Sequence, residues 1–351
     1  MRSCLRFLAI LCASLALLGA APDAAMATSA AKTPPLKFNW GAPTADYYAL
    51  YVAKDHKLFE EVGLEPNFYF FPSGAPLLAG LKSKSLDVIT TGLATVFALG
   101  QQIPLKLIYW ELDHAAAEGL VVNPAAGIAS YRDIARAKAI AAPSGTCAQV
   151  SLVLMARELG FKYADLNIIN IAPPLYGNAF KSQSIQAAVA WSPYSSILNG
   201  DGFPVVNWAN EYTPDGGVCP GLTGVRADFL AQHPDLGLKL VQVQAKAMDM
   251  IRRDPELGIA VLMKYLSVSH EVARHIHERE FARIPSYAQQ VDPASPYSLA
   301  PADGGGLARK LLVASQALAE VGTIPAPLSP EAIAQAIDPS AIQRYLQGER
   351  K

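Results

Sequence analysis

The sequence has almost no net charge: 29 Lys and Arg stand against 30 Asp and Glu, a formal balance of -1. A surface that neutralises phosphates needs a basic excess, so nucleic acid is excluded as a partner. No polybasic cluster marks a membrane-surface anchor. Cysteine is scarce, with four in 351 residues. None stands in a C-x-x-C pair or at Cys/His spacing, so no metal site is expected. Pro143-Ser144-Gly145-Thr146 lacks the lysine and the spacing of a phosphate-binding P-loop. No Ser/His/Asp spacing or carboxylate pair compels catalysis. Neither an internal repeat nor a low-complexity tract is present. The expectation is a protein that is not an enzyme and carries no cofactor.

What is present is apolar: 51% of the residues, enough for a large core and more than one compact unit. The N-terminus carries Arg2 and Arg6, an apolar run from Leu5 to Leu18, and then Ala25-Met26-Ala27. The run is shorter than the roughly 20 residues of a spanning helix. The segment 1–27 therefore reads as a secretory signal peptide cut after Ala27, and the mature chain as a soluble exported protein. Cys4 and Cys12 leave with it. Cys147 and Cys219 remain in an oxidising compartment, where they form either a disulfide or two separate thiols. Residues 28–35 read as a polar tether.

Beyond the tether, strand and helix patterns alternate. Strands are expected at 36–40, 65–71, 87–90, 105–110, 120–122, 139–142, 167–171, 187–190 and 222–225. Helices are expected at 45–61, 94–100, 148–159 and 180–186, and a helical tail from Asp235 onward. This order implies an α/β protein with mostly parallel sheets. Ligands of such sheets bind beyond the carboxyl ends of the strands. Several strand-to-helix turns there hold small residues: Ser73-Gly74, Gly92 with Thr95 after it, and Ser144-Gly145-Thr146. Free backbone N–H groups at such turns favour an anion, and the hydroxyls of Thr95, Ser144 and Thr146 would add donors. His270, His275 and His277 are assigned to a solvated helix surface, since positions 275 and 277 fall on different helix faces.

Phe38-Asn39-Trp40, the run from Tyr51 to Glu65, Ser73-Gly74-Ala75, Leu86-Asp87-Val88, and Gly92 follow one another in a known order. So do Gln101 to Pro104, Glu118 to Val122, Ile140 to Thr146, Ala188 to Pro193, and Arg226 to Phe229 with His233-Pro234. In order and spacing these resemble the solute-binding proteins of ABC importers. The group meant comprises the taurine, alkanesulfonate and nitrate binders and the NMT1/THI5-like binders of a thiamine pyrimidine precursor. The resemblance implies a periplasmic-binding-protein type II fold, with two lobes, a two-strand hinge and a ligand cleft between them. Carried over, lobe 1 would comprise 36–121 and 223–351 with the C-terminal helices, and lobe 2 would be 122–222. The crossings would lie near Leu120–Val122 and Leu222–Val225. It also implies ligand positions at Trp40, Tyr47, Ser73, Gly74, Gly92, Thr95, Glu118, Ser144, Gly145, Thr146, Cys147 and Trp191.

Departures narrow the ligand. Leu93 and Ala94 stand where taurine-type binders have serines, Gly221 where they have an acid, and Asn39 where pyrimidine binders have an aspartate. Taurine itself is disfavoured. A carboxylate or sulfonate with an alkyl or aromatic body would suit helix-end donors with Trp40, Trp110, Trp191 and Tyr194. The expected partners are that small anion and an ABC permease with its ATPase, engaged by a monomer. Two rival readings are a binder of a pyrimidine or other heteroaromatic nutrient, and a periplasmic ligand sensor for a membrane kinase.

Overall fold

The computed structural model describes residues 34–212, 217–300 and 305–349. The expected leader and residues 28–33 of the tether lie outside the described residues. Ten strands are described: β1 (Leu36–Pro43), β2 (Leu64–Phe71), β3 (Val88–Thr91), β4 (Leu105–Asp113), β5 (Gly119–Val122), β6 (Ile140–Ala141), β7 (Ile168–Ile169), β8 (Ala187–Ala190), β9 (Val205–Trp208) and β10 (Pro220–Arg226). They form two five-stranded sheets, ordered β2-β1-β3-β10-β4 and β7-β6-β8-β5-β9.

β1 runs parallel to β2 and β3, and β6 runs parallel to β7 and β8. Parallel neighbours cannot be joined by a tight turn, so each needs a helical crossover. Between β1 and β2 the chain forms the helices Tyr48–Asp55 and Leu58–Glu61. The single helix expected over 45–61 is broken at Lys57, whose left-handed φ of 55° interrupts the hydrogen-bond ladder.

Each sheet also holds one antiparallel strand: β10 between β3 and β4, and β5 between β8 and β9. These are the strands that follow the chain's two passages between sheets. The chain leaves the first sheet after Asp113, makes the short 3-10 turn His114–Ala116, and enters the second at Gly119. It returns between Tyr212 and Pro220. Both passages fall a few residues before the crossings expected from sequence, because Gly119 already pairs with Ala190 and Pro220 with Asp113. Arg279 braces the first passage. Its guanidinium lies 3.3 Å over the Trp208 ring and donates to the Ala116 carbonyl at 2.7 and 3.0 Å.

The core of the first sheet is aromatic. Trp40 sits 5.6 Å from both Phe59 and Phe68, ring centre to ring centre. Such pairs add about 0.5–1.5 kcal/mol beyond their buried area. In the second sheet β5 and β8 are buried throughout, and the alanines of β8 let helices pack close on both faces. The helix Leu236–Arg253 closes one side of the first sheet with Leu240, Val243, Ala247 and Ile251, spaced three and four apart. No helix among the described residues is long and apolar enough to cross a membrane.

Candidate functional site

Five parallel strands end at one place. The turns after β1, β2, β3, β6 and β8 supply Pro43 and Ala45, Gly74, Gly92, Thr146, and Trp191 to the wall of a single cavity. The two passages add His114 and Cys219. The space between the atoms is about 350 Å³ with open solvent included, of which about 30 Å³ admits the centre of a water molecule; the wall is mostly apolar, with Tyr47, Thr91, Leu93, Ala94 and Cys147 completing it. A cavity at the carboxyl ends of parallel strands, where their helices start, is where α/β sheets take ligands.

Six of the twelve expected positions lie on this wall: Tyr47, Gly74, Gly92, Thr146, Cys147 and Trp191. The others are placed elsewhere. Trp40 points into the helix layer, its indole N–H donating to Thr90 Oγ1 at 3.1 Å. Ser73 is buried beside Gly74 and off the wall. Thr95 is buried and donates its hydroxyl to the Gly92 carbonyl at 3.0 Å. Glu118 is fully buried, bonded by the Ser151 hydroxyl. Ser144 is half-buried, and its N–H donates to Asn170 Oδ1 at 3.1 Å. Gly145 packs under Phe97. Trp110 is core, edge-on to Tyr297, and Tyr194 stands behind Trp191.

Two of the three expected hydroxyl donors, Thr95 and Thr146, are therefore committed. Thr146 donates to the Pro143 carbonyl at 2.6 Å, as Thr95 does to Gly92. Short polar side chains that close their own turn keep no proton for a ligand. The same bond leaves the helix Cys147–Glu158 without a side-chain cap, so the N–H groups of its first turn stay open at the wall. With the helix dipole they remain the anion-favouring feature of the site.

Two glycines set how closely the sides approach. A Cβ on Gly92 would lie 2.9 Å from Cys147 Sγ. Gly145 has a φ of +72°, and a Cβ there would meet the Phe97 ring at 2.4 Å. Phe97 belongs to the helix Ala94–Gly100 of the first sheet, so this contact closes the gap beside the cavity. The helix Gly306–Glu320 spans the same two elements. Its Glu320 pairs with Arg157 at 2.6 Å, and Thr323 after it donates to Gln149 Oε1 at 3.1 Å. The same Gln149 oxygen accepts the Gly145 N–H at 2.7 Å.

Cys147 and Cys219 are joined in a disulfide with Cα atoms 5.4 Å apart. The bond ties the start of a second-sheet helix to the strand that re-enters the first. Glu118 lies behind it, its Oε2 3.7 Å from Cys219 Sγ. Burial pushes that carboxyl up to about 8, against the Ser151 hydrogen bond. A carboxylate beside two sulfurs suggests metal ligation, but sulfurs bound to each other offer no thiolates.

His114 and Asp46 were not foreseen. His114 lines the cavity, edge-on to Tyr47 at 5.9 Å, and its Nδ1 is 3.4 Å from Asp46 Oδ1. Burial pushes the Asp46 carboxyl up to about 8 and the His114 imidazole down to about 3. The signal was available in position: His114 directly follows a strand that ends at the crossing. Cys219 also lay in view, as the other cysteine left after the leader. His277 departs from its expected solvated place. It is buried, 4.7 Å from Phe281 and edge-on to Tyr48, because its helix turns that face toward the first sheet's helices.

A family model described as NMT1-like matches residues 29–261. The chain is 29% identical over 192 residues to a protein of Bacillus subtilis (strain 168) provisionally named an aliphatic sulfonates-binding protein, covering 54% of this chain and 57% of that one. It is 26% identical over 183 residues to the taurine-binding periplasmic protein of Escherichia coli (strain K12), covering 52% and 56%. The chain thus spans little more than half the length of these curated relatives. In structure it is similar to the alkanesulfonate-binding protein SsuA from Xanthomonas axonopodis pv. citri bound to MOPS: TM-score 0.69 at 19% identity, over 87% of this chain and 99% of that one. The two-sheet architecture is that of the periplasmic binding proteins. The chain belongs to the NMT1-like family.

Proposed function

We propose that this chain is the solute-binding component of an ABC importer, a binding protein and not an enzyme. It captures a small organic anion, a sulfonate or a carboxylate, in the periplasm and hands it as a monomer to the membrane permease and its ATPase. Lobe 1 would be 36–121 with 223–351, lobe 2 would be 122–222, and the segment 1–27 would direct export. The observation that carries the reading is the cavity: its wall draws on both sheets and on both passages between them, with the uncapped start of the helix Cys147–Glu158 facing in. A solute held there touches both halves, so binding favours their closed arrangement over an open one. Family membership and sulfonate-binding relatives support the same class.

Native mass spectrometry before and after partial unfolding tests for a co-purified solute. A thermal-shift panel of alkanesulfonates, carboxylates, nitrate and pyrimidines then assigns its class. Stabilisation by sulfonates or carboxylates is the expected result. Stabilisation by pyrimidines alone overturns the reading in favour of a heteroaromatic nutrient.

A further inference from the structure

Asp46 and His114 form a buried polar pair whose facing atoms find no hydrogen-bond partner among the described residues. Asp46 is 0% exposed and His114 3%. Both Asp46 carboxyl oxygens and His114 Nδ1 lack a hydrogen-bond partner, although Nδ1 and Oδ1 are only 3.4 Å apart. Orphaned buried groups are rare and costly, and each calls for a reason. Here the ring lies on the cavity wall with Nδ1 turned to Asp46. Nε2, on the other side of the ring, stands beside Gly221, 3.2 Å from where a Cβ would be.

We propose that Asp46 and His114 recognise the charged headgroup of the solute as one unit: Asp46 fixes the ring with Nε2–H toward the cavity, and that N–H donates to an oxygen of the bound anion. The inference rests on the anion-binding reading above and deepens it. The wall holds no Lys or Arg among the described residues, so the anion must be held by neutral donors or by a group that becomes positive on demand. The pair can do the second without changing its net charge. With the carboxyl pushed up and the imidazole pushed down, one proton lies between Oδ1 and Nδ1 at neutral pH. An oxyanion at Nε2 favours moving that proton from Asp46 Oδ1 to His114 Nδ1. The ring is then a cation between two anions, and its hydrogen bond to the solute becomes charge-assisted. A neutral solute brings no such shift, so the pair selects for negative charge. A lone ionised Asp46 would instead repel the ligand, which gives His114 its place.

The test is heteronuclear NMR of histidine-labelled full-length protein, titrated with ethanesulfonate, together with calorimetry of the wild type, Asp46→Asn and His114→Gln. Expected are an Nε2–H tautomer in the free protein and movement of both ring nitrogens toward the imidazolium position on binding. Each variant should bind ethanesulfonate at least about tenfold more weakly. An Nδ1–H tautomer in the free protein overturns the proposal. So do ring signals that stay fixed while the wild type binds, a readout that needs no variant to fold. If the wild type releases no heat with ethanesulfonate, acetate or nitrate, the anion-binding reading itself has failed, and this inference with it.

Discussion

Breaking the Cys147–Cys219 bond should cost the protein several kilocalories per mole of stability. The two residues are 72 apart in sequence, and the closed loop contains β7, β8 and β9, three of the five strands of the second sheet. Chain-entropy estimates for a loop of that size give about 4 kcal/mol at room temperature. A chain of this length unfolds with an entropy of about 0.7 kcal/mol/K, so the melting temperature should fall by about 6 °C. The clean perturbation is the pair Cys147→Ala and Cys219→Ala, which leaves no new hydroxyl in a buried place beside Glu118; reductant on the wild type is the companion experiment. Circular dichroism melts give the shift, and peptide mapping without reduction gives the linkage. The reasoning is refuted if unreduced protein shows free thiols at both positions, or if the double variant and the reduced protein melt where the wild type does.

Gly145→Ala places a Cβ against Phe97 on a left-handed backbone, and should destabilise by about 1–3 kcal/mol in denaturant melts. Thr146→Val removes the hydroxyl that closes the turn onto Pro143, and should weaken anion binding by about 1–2 kcal/mol in calorimetry; unchanged affinity would show that the turn holds without it. Stability should fall as pH rises from 6 to 8.5. Folded Glu118 keeps its proton up to about 8 while the unfolded group releases it near 4.5, so its contribution is lost across that span. Asp46 and His114 together hold one proton when folded, as the unfolded pair does between about 4 and 6.5, so they add to the loss only above 6.5. A melting temperature that rises over that range would contradict the buried, protonated acids.

Much of the fold was legible because the sheets are built from short apolar runs and the tail from helices with a clear period. Ala187–Ala190 and Ala94–Gly100 stand where the pattern puts them. The failures have physical causes. Lys57 takes a left-handed conformation without a glycine to announce it, so one helix became two. The helix expected over 180–186 is Tyr176–Lys181, because Tyr176 and Phe180 pack a small separate core. β9 went unseen because Val205–Trp208 is a half-buried edge strand with little alternation. At the site, turn positions were readable as turns, and Gly74, Gly92 and Thr146 reached the wall; Tyr47, Cys147 and Trp191 came from the family resemblance. Trp40 was not readable: its residue type suits a ligand wall as well as a core, and only the pleat of β1 turns it toward the helices. His114 and Asp46 belong to different strand ends, 68 residues apart, and only the fold brings their charges together.

Sulfur position is the most direct test of the whole account. Crystals of the protein grown with ethanesulfonate, measured for anomalous scattering, should show a sulfur inside the cavity, within hydrogen-bonding reach of the first turn of the helix Cys147–Glu158 and of His114. A sulfonate found outside that wall, with the cavity closed and empty in protein that binds the compound in solution, would contradict it.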